Sequence, residues 1–115
     1  MYGGRDQGLP ETGWAVAEIS IFPIGTGEPT VREYVRAVYE IVRDSGLRHQ
    51  LTAMGTLVEG RVEDLFDLAR RAHDACFEAA GGTTRVVTTL RLDERRGEPL
   101  SLEGKVRGVL ESQEE

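Results

Sequence analysis

At 115 residues the chain has room for one domain of ordinary size and no second core. Its composition, 39% hydrophobic and 30% charged, is that of a soluble globular protein, and no apolar run approaches the roughly 20 residues that span a bilayer. The formal net charge is −6, and arginines such as Arg95-Arg96 sit among Asp93, Glu94 and Glu98; this argues against nucleic acid and mildly favours a cationic ligand.

Residues 1–13 are polar and glycine-rich and contain no apolar signal region, so a disordered extension and a cytoplasmic protein are expected. The single cysteine, Cys76, excludes an internal disulfide and fits a reducing compartment. Trp14 to Ile24 alternates as a strand, with Ala15, Ala17, Ile19 and Ile21 on one face and Trp14, Val16, Glu18, Ser20 and Phe22 on the other. Apolar residues on both faces predict a central strand covered on both sides. Pro23 and Gly25-Thr26-Gly27 end it. The glycines do not make a dinucleotide loop, because a third glycine is missing and Glu28 would repel a phosphate.

Thr30 and Glu33 have the spacing of a capping box, which predicts a helix opening there with the stripe Val31, Tyr34, Val35, Val38, Ile41 and Val42. Gly46 closes it in the left-handed position. Two short strands follow, Arg48 to Ala53 and Thr56 to Glu59, around a turn at Met54-Gly55. His49 and Leu51 share one face of the first strand, and Gln50 and Thr52 the other. Gly60 then introduces a second helix with the stripe Val62, Leu65, Phe66, Ala69, Ala72, His73, Cys76 and Ala79, stopped by Gly81-Gly82. A last strand covers Arg85 to Asp93. Ser101 is placed to cap a short terminal helix carrying Leu102, Val106, Val109 and Leu110, which Gly104 and Gly108 weaken unless it docks on a surface. The glutamate-rich end, 113–115, is expected to fray.

The order strand, helix, strand, strand, helix, strand gives two right-handed crossovers joined by a hairpin. The result is an α+β domain over 14–112: a four-stranded antiparallel sheet with two helices on one face, plus the short C-terminal helix. The other face would present Trp14, Val16 and Phe22 around Glu18 and Ser20, with Gln50, Thr52, Thr89 and Arg91 alongside. A bare patch of this kind calls for a cover, and a second copy is the simplest one.

Glu18 stands out because a carboxylate in a central strand is costly to bury unpaired. Either it pairs with Arg91, or it waits for a ligand's donor or cation. Ser20, Thr52, Thr56, Thr88 and Thr89 place hydroxyls on the same strands, although threonine is also common in strands for its β-propensity alone. His73 reads as a satisfied core or interface histidine, and Cys76 as a small buried hydrophobe. Two unpaired histidines do not make a zinc site, and no nucleophile–base–orienter set can be assembled.

Four blocks carry a family resemblance: Val16-Ala17-Glu18-Ile19-Ser20-Ile21 with Pro23 to Gly27, Leu51 to Thr56 with Glu59-Gly60, Arg85 to Asp93, and Glu103-Gly104-Lys105-Val106. Over about Ala15 to Leu110 the chain resembles the small thiamine-binding proteins of the YkoF-like superfamily. The resemblance implies a ferredoxin-like fold, self-assembly into homodimers or homotetramers through sheet faces and edges, and non-catalytic binding of thiamine or its hydroxymethylpyrimidine moiety as carrier, buffer or sensor. No cofactor or metal is expected to be required, and no membrane or nucleic-acid partner is expected from the charge and hydropathy pattern. Carried onto matching positions, the resemblance makes Glu18, Ser20, Thr52, Met54, Gly55, Thr56, Glu59, Thr89 and Arg91 the ligand-binding candidates. Ala53 departs from the proline often found between the threonine and the methionine, which loosens the turn. Few basic residues near this set argue against phosphorylated ligands. The competing expectations are an assembly module without a ligand and an enzyme acting on a thiamine-related molecule.

Overall fold

The computed structural model describes residues 8–112. Its elements are β1 (Trp14–Pro23), α1 (Arg32–Asp44), β2 (Arg48–Leu51), β3 (Thr56–Arg61), α2 (Val62–Glu78), β4 (Val86–Glu94) and α3 (Leu102–Ser112). The strands form one antiparallel sheet in the order β2-β3-β1-β4, the ferredoxin-like arrangement. β1 is therefore internal, as its two apolar faces required. Ala15, Ala17, Ile19 and Ile21 face α1 and α2 and are nearly inaccessible, packed with Val38, Val42, Val58, Leu65, Leu68, Ala72 and Cys76.

Several local expectations need correction. α1 does not begin with a capping box: Val31 takes the N-cap position without a side-chain bond, and Thr30 Oγ1 accepts only from the Arg32 amide at 3.3 Å. Gly46 does take the left-handed conformation, with φ +77°. β2 stops at Leu51, because Thr52 leaves the ladder to accept the turn: both its amide and its hydroxyl donate to the Gly55 carbonyl at 2.8 Å. β3 runs on to Arg61, so Gly60 is a buried strand residue and not a helix opener. An added Cβ there would meet Leu47 Cδ2 at 3.4 Å, so glycine suits a crowded strand end.

On α2 the expected stripe holds at Leu65, Ala69, Ala72 and Cys76, with one exchange. Leu68 is buried, whereas Phe66 is 57% exposed. The helix ends at Glu78, ahead of the two glycines, and Ala80 adopts φ +53° before Gly82 at φ +86°. Residues 1–7 and 113–115, where most of the expected extension and all of the expected frayed tail fall, lie outside the described residues. The end of that extension is hydrogen-bonded to the domain: Gly13 N donates to Glu94 Oε2, Val62 N to Gly13 O and Gly97 N to Glu11 O, each at 2.9 Å.

The second face of the sheet has a cover the strand pattern did not supply. α3 lies across it, opposite α1 and α2, with Leu102 6% exposed and Val16 beneath it 5% exposed. Ser101 Oγ accepts from the Gly104 amide at 2.9 Å and caps the helix as expected. So part of this face, expected to need a second copy, is covered from within the same chain.

Candidate functional site

Antiparallel register arranges the open face in rows across the strands. One row is Arg48, Glu59, Val16 and Asp93; the next is Gln50, Leu57, Glu18 and Arg91; beyond β3 come Ser20 with Thr89 and Phe22 with Val87. α3 is tethered over the first row. Leu102 N donates to Glu59 Oε1 at 3.0 Å, Lys105 Nζ reaches Asp93 Oδ2 at 2.8 Å, and Arg48 stands 3.6 Å from Glu103.

Between α3 and the second row runs a groove of about 620 Å³. Val16 and Leu57 form its floor, Leu102 and Val106 its wall, and the Glu18–Arg91 pair lies at its lip with Asp93 and Lys105. The Glu18 and Arg91 side chains approach to 3.7 Å, so the ion pair expected from the alternation forms. Its premise changes, however. The Glu18 side chain is 36% exposed, and burial does not make it costly. An exposed pair of this geometry stabilises the fold by well under about 1 kcal/mol and leaves both groups available.

The buried carboxylate of the sheet is Glu59, fully inaccessible. It accepts from Trp14 Nε1 at 3.3 Å and from Leu102 N, with Arg48 Nε 3.9 Å away. These contacts commit it to anchoring α3. Thr56 is buried too, and its register with Ile19 turns it toward the helices. Ser20 and Thr89 lie together one row past Glu18. The Thr52–Gly55 loop closes on β1: a Cβ added at Gly55 would stand 2.9 Å from the Ile19 carbonyl oxygen and 3.6 Å from Glu18 Cγ. Met54, 82% exposed, tips that loop. With Ser20, Ile21 and Phe22 the loop encloses a small cavity of about 130 Å³.

The nine candidates thus separate by place. Glu18 and Arg91 line the groove, Gly55 backs Glu18, Ser20 and Thr89 extend the row, and Thr52 and Met54 form the loop. Thr56 and Glu59 are interior. The strand pattern did not reveal Lys105 and Val106 as groove residues, because α3 brings them there from outside the sheet, where Lys105 meets Asp93 of β4. Two basic residues, Arg91 and Lys105, line the groove, and each faces a carboxylate.

His73 and Cys76 lie on α2, on the other side of the sheet. His73 Nδ1 is 2.6 Å from Thr88 Oγ1 and its ring meets Phe77 edge-on. His49 Nδ1 is 2.9 Å from the Leu47 carbonyl, with Tyr39 edge-on to its ring. Burial pushes the Cys76 thiol above its ordinary range. Among the described residues no group of three or more histidine, cysteine, aspartate or glutamate side chains is placed to hold a metal, and no helix is long and apolar enough to cross a membrane.

Fold and site together define a ferredoxin-like α+β domain with an apolar, ion-paired groove of small-molecule size. The chain belongs to the thiamine-binding protein family, whose model matches residues 17–110. It is 39% identical to YqgV of Bacillus subtilis over 99 residues, covering 83% of this chain and 93% of that one. A relative from Methanothermobacter thermautotrophicus is 35% identical over 96 residues, covering 83% and 95%. The crystal structure of a hypothetical protein from Methanocaldococcus jannaschii superimposes with a TM-score of 0.77 at 31% identity, covering 84% of this chain and 96% of that one. A Thermotoga maritima protein provisionally placed in thiamine biosynthesis or salvage shares the fold, with a TM-score of 0.71 at 19% identity over 84% and 98% of the two chains.

Proposed function

We propose that the domain binds thiamine or its hydroxymethylpyrimidine moiety reversibly, as a carrier, buffer or sensor and not as a catalyst. The observation that carries this reading is the groove under α3 with Glu18 at its lip. Its volume falls within the roughly 300–1,000 Å³ of small-molecule sites, and its apolar floor with few polar groups is the usual composition of one. A ring lying on Val16 and Leu57 brings an exocyclic amine to the Glu18 carboxylate, which also offsets a thiazolium charge. The family match and the thiamine description of the Thermotoga structure support the same ligand class.

The pairing of Glu18 with Arg91 and of Asp93 with Lys105 leaves the lip close to neutral, which favours the unphosphorylated forms. A non-catalytic role is supported by what lines the groove: its carboxylates face cations, and the histidine and thiol of α2 lie behind the sheet. We further infer self-association through the part of the sheet face that α3 leaves open, where Phe22 is 39% exposed beside Ser20 and Thr89.

Calorimetric titration with thiamine, hydroxymethylpyrimidine and thiamine diphosphate tests the ligand. Micromolar binding of the first two, weakened about tenfold by Glu18→Gln (about 1.4 kcal/mol), is expected. No heat with any of the three would leave an assembly module as the better reading, and turnover of a thiamine fragment would make the domain an enzyme. Sedimentation tests the assembly: Phe22→Asp should reduce the mass of the particle, and a monomeric wild-type chain would refute self-association.

A further inference from the structure

The free edge of β2 borders a second hollow, on the helix side of the sheet and away from the groove under α3. Strand order places β2 at the rim, paired only with β3. The bond from the Thr52 amide to the Gly55 carbonyl sets the phase of their ladder. Bonded and non-bonded pairs alternate along antiparallel strands, so Gln50 opposite Leu57 and Arg48 opposite Glu59 continue the bonded series. His49 and Leu51 therefore turn their amides and carbonyls outward. Beside them, between the edge and α1, lies a trough of about 610 Å³. Val35, Tyr39 and Leu51 give it apolar walls, and Val35 and Leu51 are 39% and 52% exposed. Arg32 and Arg36, one turn apart on α1, line its rim. Both are exposed, and neither meets a carboxylate within ion-pair distance among the described residues, although the chain as a whole carries a charge of −6.

We propose that this edge docks an extended acidic segment of another protein, which pairs with β2, seats an apolar side chain in the trough and lays carboxylates against Arg32 and Arg36. An added antiparallel strand exchanges backbone hydrogen bonds with His49 and Leu51, so affinity comes from the main chain and selection from the trough. Directly paired residues share a face, and the incoming residues opposite His49 and Leu51 therefore point to the α1 side. An apolar residue with an acidic one two positions away on either side matches apolar walls below a cationic rim. Charge decides between this occupant and a second copy. Two copies joined edge to edge about a two-fold axis would bring Arg32 and Arg36 of both to the same side of the joined sheet, where like charges repel. A carboxylate-bearing strand is instead attracted by both arginines. The site lies across the sheet from the groove under α3 and does not rest on the thiamine reading.

The probe is a fluorescein-labelled heptapeptide in which glutamate, leucine and glutamate alternate with serine, so that all three lie on one face of a strand. Fluorescence anisotropy measures its binding, and amide spectra of the nitrogen-15-labelled full chain locate it. Saturable binding is expected, with the His49 and Leu51 amides shifted and slowed in exchange. Arg32→Glu combined with Arg36→Glu should weaken binding about tenfold or more. Both arginines are exposed, so the double variant should melt with wild type. A peptide with lysine for glutamate, and one with the leucine amide nitrogen methylated, should each bind much more weakly. Equal affinity for the lysine peptide would remove the charge selection, and equal affinity for the methylated one would remove strand addition; either overturns the proposal. So would the absence of saturable binding of the glutamate peptide. Protection of the His49 and Leu51 amides that grows with the concentration of the protein alone would assign the edge to a second copy and overturn it as well.

Discussion

Two glutamates on adjacent strands show how much a carboxylate depends on its surroundings. Glu18 looks out over the groove beside Arg91, while Glu59, in the neighbouring row, is sealed beneath α3 and holds Trp14 Nε1 and the Leu102 amide. Glu59→Leu should cost about 3 kcal/mol, because it leaves a buried amide and an indole N–H without an acceptor and takes a buried anion away from Arg48. Urea unfolding would measure the loss, and amide exchange should show α3 losing protection first. Glu18→Gln should change stability by less than about 0.5 kcal/mol while weakening ligand binding, since an exposed pair contributes little to the fold. Cys76 gives a pH-dependent prediction. Burial raises its thiol pKa in the folded state, so stability is full below the ordinary thiol range and falls as pH rises through that range toward the folded value. Iodoacetamide at pH 8 should label it only after denaturation, and fast labelling of the folded protein would contradict the burial.

At the scale of elements, the helix ends separate real caps from apparent ones. Ser101→Ala should destabilise the protein by about 1 kcal/mol, because its hydroxyl oxygen accepts from Gly104 at the third position of α3. Thr30→Ala should change it by less than about 0.5 kcal/mol, since Val31 holds the cap position of α1 and no reciprocal Glu33 bond forms. Denaturant midpoints of the two variants would check the contrast directly. The β2–β3 loop is constrained by proximity and not by backbone conformation. Gly55→Ala would drive a methyl group to 2.9 Å from the Ile19 carbonyl oxygen, so β1 or the loop must shift, at a cost of about 1–3 kcal/mol. Because Gly55 also backs Glu18, the same variant should weaken ligand binding. Unchanged stability and affinity would show that the loop has slack.

For the whole molecule, the domain consists of a two-layer core and a third element laid on the outer face. Ending the chain after Pro99 should leave the layer of Ile19, Val42, Val58 and Leu65 folded while uncovering Val16, Leu57 and Glu59. Such a chain should keep the far-ultraviolet circular dichroism of α1, α2 and the sheet while losing that of α3, lose ligand binding and self-associate more strongly through the enlarged apolar face. The α+β order, the internal position of β1, the core-facing row Ala15–Ala17–Ile19–Ile21 and the left-handed Gly46 were all legible in the sequence. Each follows from a period or a conformational preference that the local chain imposes by itself. The exchange of Phe66 for Leu68 in the α2 stripe was less legible, because both residues are large and apolar and only packing against α1 and the sheet chooses between them. Glu59 beneath α3 and the assembly of Lys105 and Val106 with Glu18 and Arg91 were decided by tertiary structure alone. Those residues meet only where a helix late in the chain crosses strands formed much earlier. Local sequence fixes which way a side chain faces on its own element, but which other element lies above it depends on contacts between distant segments.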